Sequence, residues 1–249
     1  MKYLVTAMIL TLIVACSKNN DEDLQTDPCN NILEVLMYHP YGTPTYQTTA
    51  SLTYDDQGRI KTVIGEGSSR SDYTYFNDRI VLTAKDIFGN DIGTTYYLNN
   101  MKRVIRTNFY DYQYTYNSEG CLTSYRRPYG NNGQITGFTQ YFLKWEDGNI
   151  SEVYTNDANI ADRKYGFQYY TEPNQNLLGY NSPLYISGAV GDRPSFFLIG
   201  SDFFGKQPKS LYKTLIKNDV YNGTVTYQYD AKGRISSIKD VYQFNYKCQ

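Results

Sequence analysis

Along most of the chain, apolar and polar residues alternate with period two, and Asp, Asn or Gly interrupts the alternation at short intervals. Tyr73 and Tyr75 flank Thr74, Tyr227 and Tyr229 flank Gln228, and Tyr110, Tyr112, Tyr114 and Tyr116 run with the same period. Such a segment has one aromatic face and one polar face, which describes a half-buried antiparallel strand. Parallel strands buried on both sides would read as continuous apolar runs. The aromatic enrichment suits a pleated surface.

Three segments repeat one phrase: Leu52-Thr-Tyr-Asp-Asp-Gln-Gly-Arg-Ile60, Tyr114-Thr-Tyr-Asn-Ser-Glu-Gly-Cys-Leu122 and Tyr227-Gln-Tyr-Asp-Ala-Lys-Gly-Arg-Ile235. The phrase predicts strand, tight turn, strand. Asp55, Asn117 or Asp230 opens the turn with a side chain able to bond its own backbone, and Gly58, Gly120 or Gly233 supplies a left-handed conformation. Asn77-Asp78 and Asp147-Gly148 mark tighter hairpins, and Asn99-Asn100 is a degenerate member. After the turns, apolar residues stand three apart, as in Ile60 and Val63, Leu122 and Tyr125, Ile150 and Val153, Ile235 and Ile238. Period two would put them on opposite faces. A bulge after each turn returns them to one face and bends the sheet, so the pattern predicts recurrent bulging and strong curvature.

At roughly 10 to 14 residues per strand and turn, the expected fold is all-β, an antiparallel meander of about 14–18 strands, curved to barrel-like. Closure would bring the first and last strands together. The phrase disappears at about 171–211, where Pro173, Pro183, Pro194 and Pro208 punctuate a segment containing Phe196-Phe197-Leu198-Ile199 and Phe203-Phe204. An insertion of this length in a meander reads as a plug, a lid or a ligand-gripping loop. A transmembrane barrel would need an outward apolar band, whereas the non-aromatic face here carries Thr, Gln, Ser and Lys.

The N-terminus changes the picture from fold to address. Residues 1–15 read as a signal peptide, with Lys2 ahead of an apolar run too short to span a bilayer. Ile13-Val14-Ala15-Cys16 resembles the lipobox of bacterial lipoproteins, which implies cleavage before Cys16 and its acylation. Residues 16–28 are then an acylated cysteine and a disordered acidic tether, Ser17-Lys-Asn-Asn-Asp-Glu-Asp23, similar to a surface-export tag. Residues 29–249 form a single domain. The expected location is the outer membrane, lipid-anchored and exposed at the cell surface, with periplasmic display as the alternative. The formal net charge of −1 excludes nucleic acid as an expected partner. Cys29 and Cys248 flank the domain and are a candidate disulfide, which leaves Cys121 as a free surface-side thiol.

The phrase resembles the tyrosine-aspartate repeat of RHS and teneurin shells. Trp145-Glu-Asp-Gly-Asn-Ile150, Tyr165-Gly-Phe-Gln-Tyr-Tyr170 before Asn176-Leu-Leu178, and Lys206-Gln-Pro-Lys-Ser210 before Tyr227-Gln-Tyr-Asp230 are similar to a lipoprotein domain of unknown function with a porin-like fold, found in surface lipoproteins of Gram-negative commensals. The resemblance implies a barrel-like sheet and lipid attachment, and it brings no catalytic residue.

Candidate chemistry is sparse. His39, the one histidine, precedes Pro40 in a loop-like context, which removes most imidazole-dependent arrangements and leaves no expected metal site or cofactor. Glu34, Glu152, Asp111, Asp162 and Asp202 are the carboxylates without turn duties, and paired carboxylates would be needed for glycoside hydrolysis. Tyrosine, at 28 residues, is the most promising ligand-facing type, since a ring with a polar tip suits sugars. The regular tyrosines are expected to pack in the core, so ligand contacts are assigned to the off-pattern Trp145, Tyr180, Tyr185 and Phe203. The expected function is non-enzymatic binding of a glycan or protein, or scaffolding. The alternatives are a polysaccharide hydrolase with two carboxylates and a carrier of apolar ligands in the barrel lumen.

Overall fold

A computed structural model describes residues 31–39, 46–65, 69–85, 89–108, 111–131, 134–158, 160, 164–175, 177–180, 182–187, 189, 197–239 and 241–247. Cys16, Cys29 and Cys248, and with them the tether and the candidate bridge, lie outside these residues, as do Tyr110, Asp162 and Phe196.

One antiparallel sheet of 17 strands makes up the fold. In chain order these are β1 (Ile32–His39), β2 (Tyr46–Tyr54), β3 (Ile60–Ile64), β4 (Arg70–Tyr75), β5 (Arg79–Lys85) and β6 (Asp91–Leu98). There follow β7 (Val104–Thr107), β8 (Gln113–Tyr116), β9 (Leu122–Asn131), β10 (Gln134–Glu146), β11 (Asn149–Tyr154) and β12 (Lys164–Pro173). A one-turn helix, α1 (Pro183–Ile186), lies in the insertion, and β13 (Ser210–Lys217), β14 (Val220–Thr224), β15 (Tyr227–Tyr229), β16 (Ile235–Ile238) and β17 (Tyr242–Tyr246) complete the set. Consecutive strands pair as a meander from β1 to β14, and β17 pairs back with β1. Among the described residues the ring is not closed by a strand pairing. At the seam, β14 pairs with β13 whereas β15 pairs with β16, and only Val225 and Thr226 separate them.

The bulges fall where the three-apart pairs predict. Between β2 and β3 the register passes from Thr53↔Thr62 to Tyr54↔Ile60, skipping Lys61. The same skip occurs at Ile105, Thr123, Ser151 and Ser236 in the corresponding hairpins. Each places the flanking three-apart pair on the inner face, where Ile60 and Val63, or Ile150 and Val153, are buried together, and Val104 is joined by Thr107. The Asn77-Asp78 hairpin differs: Tyr75↔Ile80 and Thr74↔Val81 continue without a skip, and Ile80 and Leu82 are buried by plain alternation. The degenerate Asn99 turn forms fully, with the Asn99 Oδ1 accepting from the Met101 and Arg103 N–H groups at 2.9 and 3.0 Å and Lys102 taking the glycine's place at φ 60°.

The phrase interlocks neighbouring hairpins. Asp55 Oδ1 accepts from the N–H groups of Gln57 and Arg59, and its other oxygen accepts from Arg59 Nε at 2.7 Å. The Arg59 guanidinium then lies 4.2 Å from the centre of the Tyr75 ring, and the Tyr75 hydroxyl donates to the Ile60 carbonyl at 2.7 Å. Asp230, Arg234, Tyr246 and Ile235 repeat the arrangement. Each hydroxyl satisfies a backbone carbonyl beside the turn, a bond worth about 1 kcal/mol net. Burial pushes the Tyr246 hydroxyl up to about 12, so it stays protonated and able to donate. In the Asn117 repeat, Cys121 stands in the arginine's place and Trp145 in the tyrosine's, with Trp145 Nε1 donating to Leu122 O at 2.8 Å. Cys121 is therefore not a surface-side thiol: it is 0% exposed, and it is disulfide-bonded rather than free.

The insertion fills the interior as a plug. Tyr114 and Tyr125 donate their hydroxyls to the carbonyls of Ala189 and Ser187. Phe204 packs edge-on against Tyr96 and Tyr114, and Tyr180 against Phe244 on the far side of the ring. Its feet rest on the repeat turns: the N–H groups of Lys206 and Lys209 donate to the carbonyls of Gly120 and Gly148 at 3.1 and 2.9 Å, and Gln175 Nε2 donates to Gly233 O at 3.0 Å.

Candidate functional site

The plug leaves a gap against the wall where the two ends of the meander pair. β1 pairs with β17 on one side and β2 on the other, bringing Met37 opposite Tyr242 and setting Ala50 and Val63 on adjacent inner positions. The β3–β4 connection closes tightly, with Gly65 N–H donating to Ser69 O at 2.8 Å. A methyl group at Gly65 would stand 2.8 Å from Ser69 Oγ, so a larger residue there would have to turn the serine hydroxyl aside. From the plug come Tyr180, Tyr185 and Phe197. Between wall and plug lies a cavity of about 160 Å³, lined by these residues together with Ser69 and Ser71.

Local chemistry explains how the plug presents its rings. Leu178 and Gly179 adopt positive φ, and the Tyr180 N–H donates back to Leu177 O at 2.9 Å, a compact turn that drives the Tyr180 ring inward. Its centroid lies 4.5 Å from that of Tyr242 and 6.2 Å from that of Phe197, both edge-on. Ser182 then caps α1, its hydroxyl accepting from the Leu184 N–H, with Pro183 in the first turn where no N–H is needed. That turn carries Tyr185 to the mouth, where it is 38% exposed while Tyr180 is 8% exposed. Among the described residues the lining has ring faces, aliphatic groups, tyrosine tips and two serines, and no charged side chain.

Two of the four aromatics expected to contact ligand, Tyr180 and Tyr185, thus share one cavity. The other two stand elsewhere. Trp145 is 4% exposed and bound to Leu122 O, and Phe203 stacks on Tyr75 at the turn end, its carbonyl accepting from the Val104 N–H. Met37, Phe197 and Tyr242 were not singled out as ligand-facing from sequence. Phe197 carried a signal as part of an apolar cluster in the insertion, but Met37 and Tyr242 are regular strand residues, brought to the cavity by pairing between the two ends of the chain.

The carboxylates have separate partners. Glu34 accepts from Asn245 Nδ2 at 2.8 Å. Burial opposes ionisation of Glu152, but Lys144 and Lys164, at 2.8 and 3.2 Å, outweigh it and hold the carboxyl below its usual range. Asp111 accepts from Gln113 at 3.2 Å. Asp202 keeps an exposed side chain on the plug, yet the packed loop removes enough solvent to raise its carboxyl to about 6, against the pull of Arg103 and Lys206. None of these lines the cavity. His39 ends β1, its backbone opposite Tyr46. Among the described residues no group of three or more His, Cys, Asp or Glu could hold a metal ion.

Neither a protein-family model nor a curated protein matches the chain. Solved structures do share its fold. A porin-like protein from Bacteroides uniformis aligns over 86% of this chain and 96% of its own, with TM-score 0.52 and 15% identity. A porin-like protein from Bacteroides vulgatus aligns over 88% and 99%, with TM-score 0.54 and 16% identity. At these identities the likeness speaks to the fold.

Proposed function

We propose that the protein is a non-enzymatic binding module of the bacterial envelope, attached through an acylated Cys16 and displayed at the outer membrane, and that it holds one neutral ring of a glycan in the cavity between plug and wall. The observation that carries this reading is the lining: among the described residues it sets three tyrosines and two serines around an aliphatic floor, with no carboxylate to act as acid, base or nucleophile. The stacking face and hydroxyl edge of such a lining match the two faces of a sugar. The volume is similar to the cavity of about 150 Å³ that accepts a single benzene ring. It suits a terminal or side-branch residue rather than a lipid chain. The lipobox and acidic tether support the address, and the porin-like neighbours are consistent with an envelope setting. The polar outer surface, with charged side chains such as Lys144 and Glu152 within strands β10 and β11, argues for a barrel-like sheet that stands beside the bilayer rather than in it.

Binding of the lipid-free mature chain to a glycan array, followed by titration of the best ligand against the Tyr185→Ala variant, tests the proposal. Saturable binding lost in the variant is the expected result. Silence across neutral glycans, or binding indifferent to Tyr185, would overturn it.

A further inference from the structure

The outer face carries a feature independent of the cavity. Successive registers Arg79↔Tyr97, Tyr97↔Arg106, Arg106↔Gln113, Gln113↔Arg126 and Arg126↔Gln140 place these side chains in one row across β5 to β10. The arginines of the row lie over aromatic rings: Arg79 over Phe76 at 4.6 Å, Arg106 over Tyr97 at 4.2 Å and Arg126 over Phe138 at 3.7 Å. Arg79 is paired with Asp78 at 3.1 Å. Arg106 and Arg126 have no acidic partner among the described residues, and Gln113 between them is engaged with Asp111. With strands about 4.8 Å apart, the Cα positions of Arg106 on β7 and Arg126 on β9 are about 10 Å apart along the row, and their guanidinium groups lean outward from Gln113, over Tyr97 on β6 and Phe138 on β10. Stacking fixes the planes of the forks before any ligand arrives, which lowers the ordering cost of binding.

We propose that this row is a binding site for an acidic polysaccharide, whose carboxylates or sulfates are spaced along a chain and accept paired hydrogen bonds from Arg106 and Arg126. Guanidinium forks match planar and tetrahedral anions. The chain as a whole has net charge −1, so general cation-exchange behaviour is not expected and attraction would be local. A repeating anion fits a row that crosses six strands better than a single small anion does.

The test is retention of the full mature chain on immobilised polygalacturonate and on heparin at low salt, compared with neutral dextran and with anionic phosphatidylglycerol vesicles. Retention on an acidic polysaccharide, elution by added salt, and affinity reduced about tenfold for Arg106→Gln and for Arg126→Gln are expected. Arg106→Lys/Arg126→Lys keeps the charge but loses fork and stack, and is expected to bind more weakly than the natural chain. Circular dichroism of each variant confirms the sheet. No retention, retention unchanged in the Gln variants, or binding to vesicles alone would overturn the proposal. The Tyr185→Ala variant serves as a control, since it removes cavity binding and leaves the row intact.

Discussion

The backbone N–H of Lys206 donates to the carbonyl of Gly120 at 3.1 Å, so the plug is fastened to a glycine of the repeated turn. Gly205, beside it, has φ +89°, and a methyl group there would stand 2.9 Å from that same carbonyl and from the Tyr116 ring. The turns of the repeat therefore do two jobs. They reverse the strands, and their outward carbonyls receive the insertion.

Gly205→Ala should destabilise the fold by about 2 kcal/mol or more, since left-handed strain and a steric clash add. Gly233→Ala has a similar φ of +76° and open space around the new methyl, and should cost about 1 kcal/mol. Urea denaturation midpoints of the two variants provide the comparison. Equal losses would mean that plug contact contributes nothing at Gly205.

Tyr246→Phe removes a hydroxyl that donates to Ile235 O at 2.8 Å and leaves that carbonyl unpaired in a buried position. A loss of about 1 kcal/mol is expected, with a like loss for Tyr75→Phe, whose hydroxyl serves Ile60. Hydrogen exchange should rise first in the hairpin carrying the orphaned carbonyl. An unchanged denaturation midpoint in both variants would remove the interlock as a source of stability.

Asp202 has a carboxyl raised by desolvation to about 6, against about 3.9 in an unfolded chain. A group raised on folding favours the folded state below its unfolded value, and that advantage is lost as pH climbs through 6. Stability should therefore fall between about pH 4 and 6, and Asp202→Asn should flatten that portion of the profile. Exposure of the side chain to solvent keeps the effect small. Asp55 works in the opposite direction: burial opposes its ionisation, but bonds from Arg59 outweigh it and hold the carboxyl low. Its contribution is present above about pH 4 and lost as acid protonates it. Denaturation midpoints measured at intervals from pH 3 to 7 separate the two.

Tyr185→Ala should leave stability within about 0.5 kcal/mol, because the ring sits at the cavity mouth. Ligand affinity should drop about tenfold. Tyr180→Ala should instead cost several kcal/mol, because its ring packs against Tyr242, Phe244 and Phe197 in the core. A thermal melt and a ligand titration on the same samples distinguish the two roles.

Local chemistry in the sequence determined most of the architecture. Asp or Asn followed by Gly specifies the turn, alternation specifies the faces, and the three-apart pairs require a bulge, because each is a relation among neighbours governed by backbone sterics. The Asn77-Asp78 hairpin kept plain alternation, a difference visible in Ile80 and Leu82 as a two-apart pair. What only the tertiary structure decided are the relations across the ring. Cys121 reads as exposed from its place in the phrase, yet it is fully buried between Gly120, whose carbonyl receives the plug, and Leu122, whose carbonyl receives Trp145. Of the aromatics that broke the pattern, Tyr180 and Tyr185 meet at the cavity while Trp145 and Phe203 stand at other sites, because the path of the insertion through the interior is set by long-range packing. Met37 meets Tyr242 only because the two ends of the meander pair, and the row from Arg79 to Gln140 exists only once six strands are in register. Sequence periodicity says which face a residue takes; strand register and the plug decide which residues share a site.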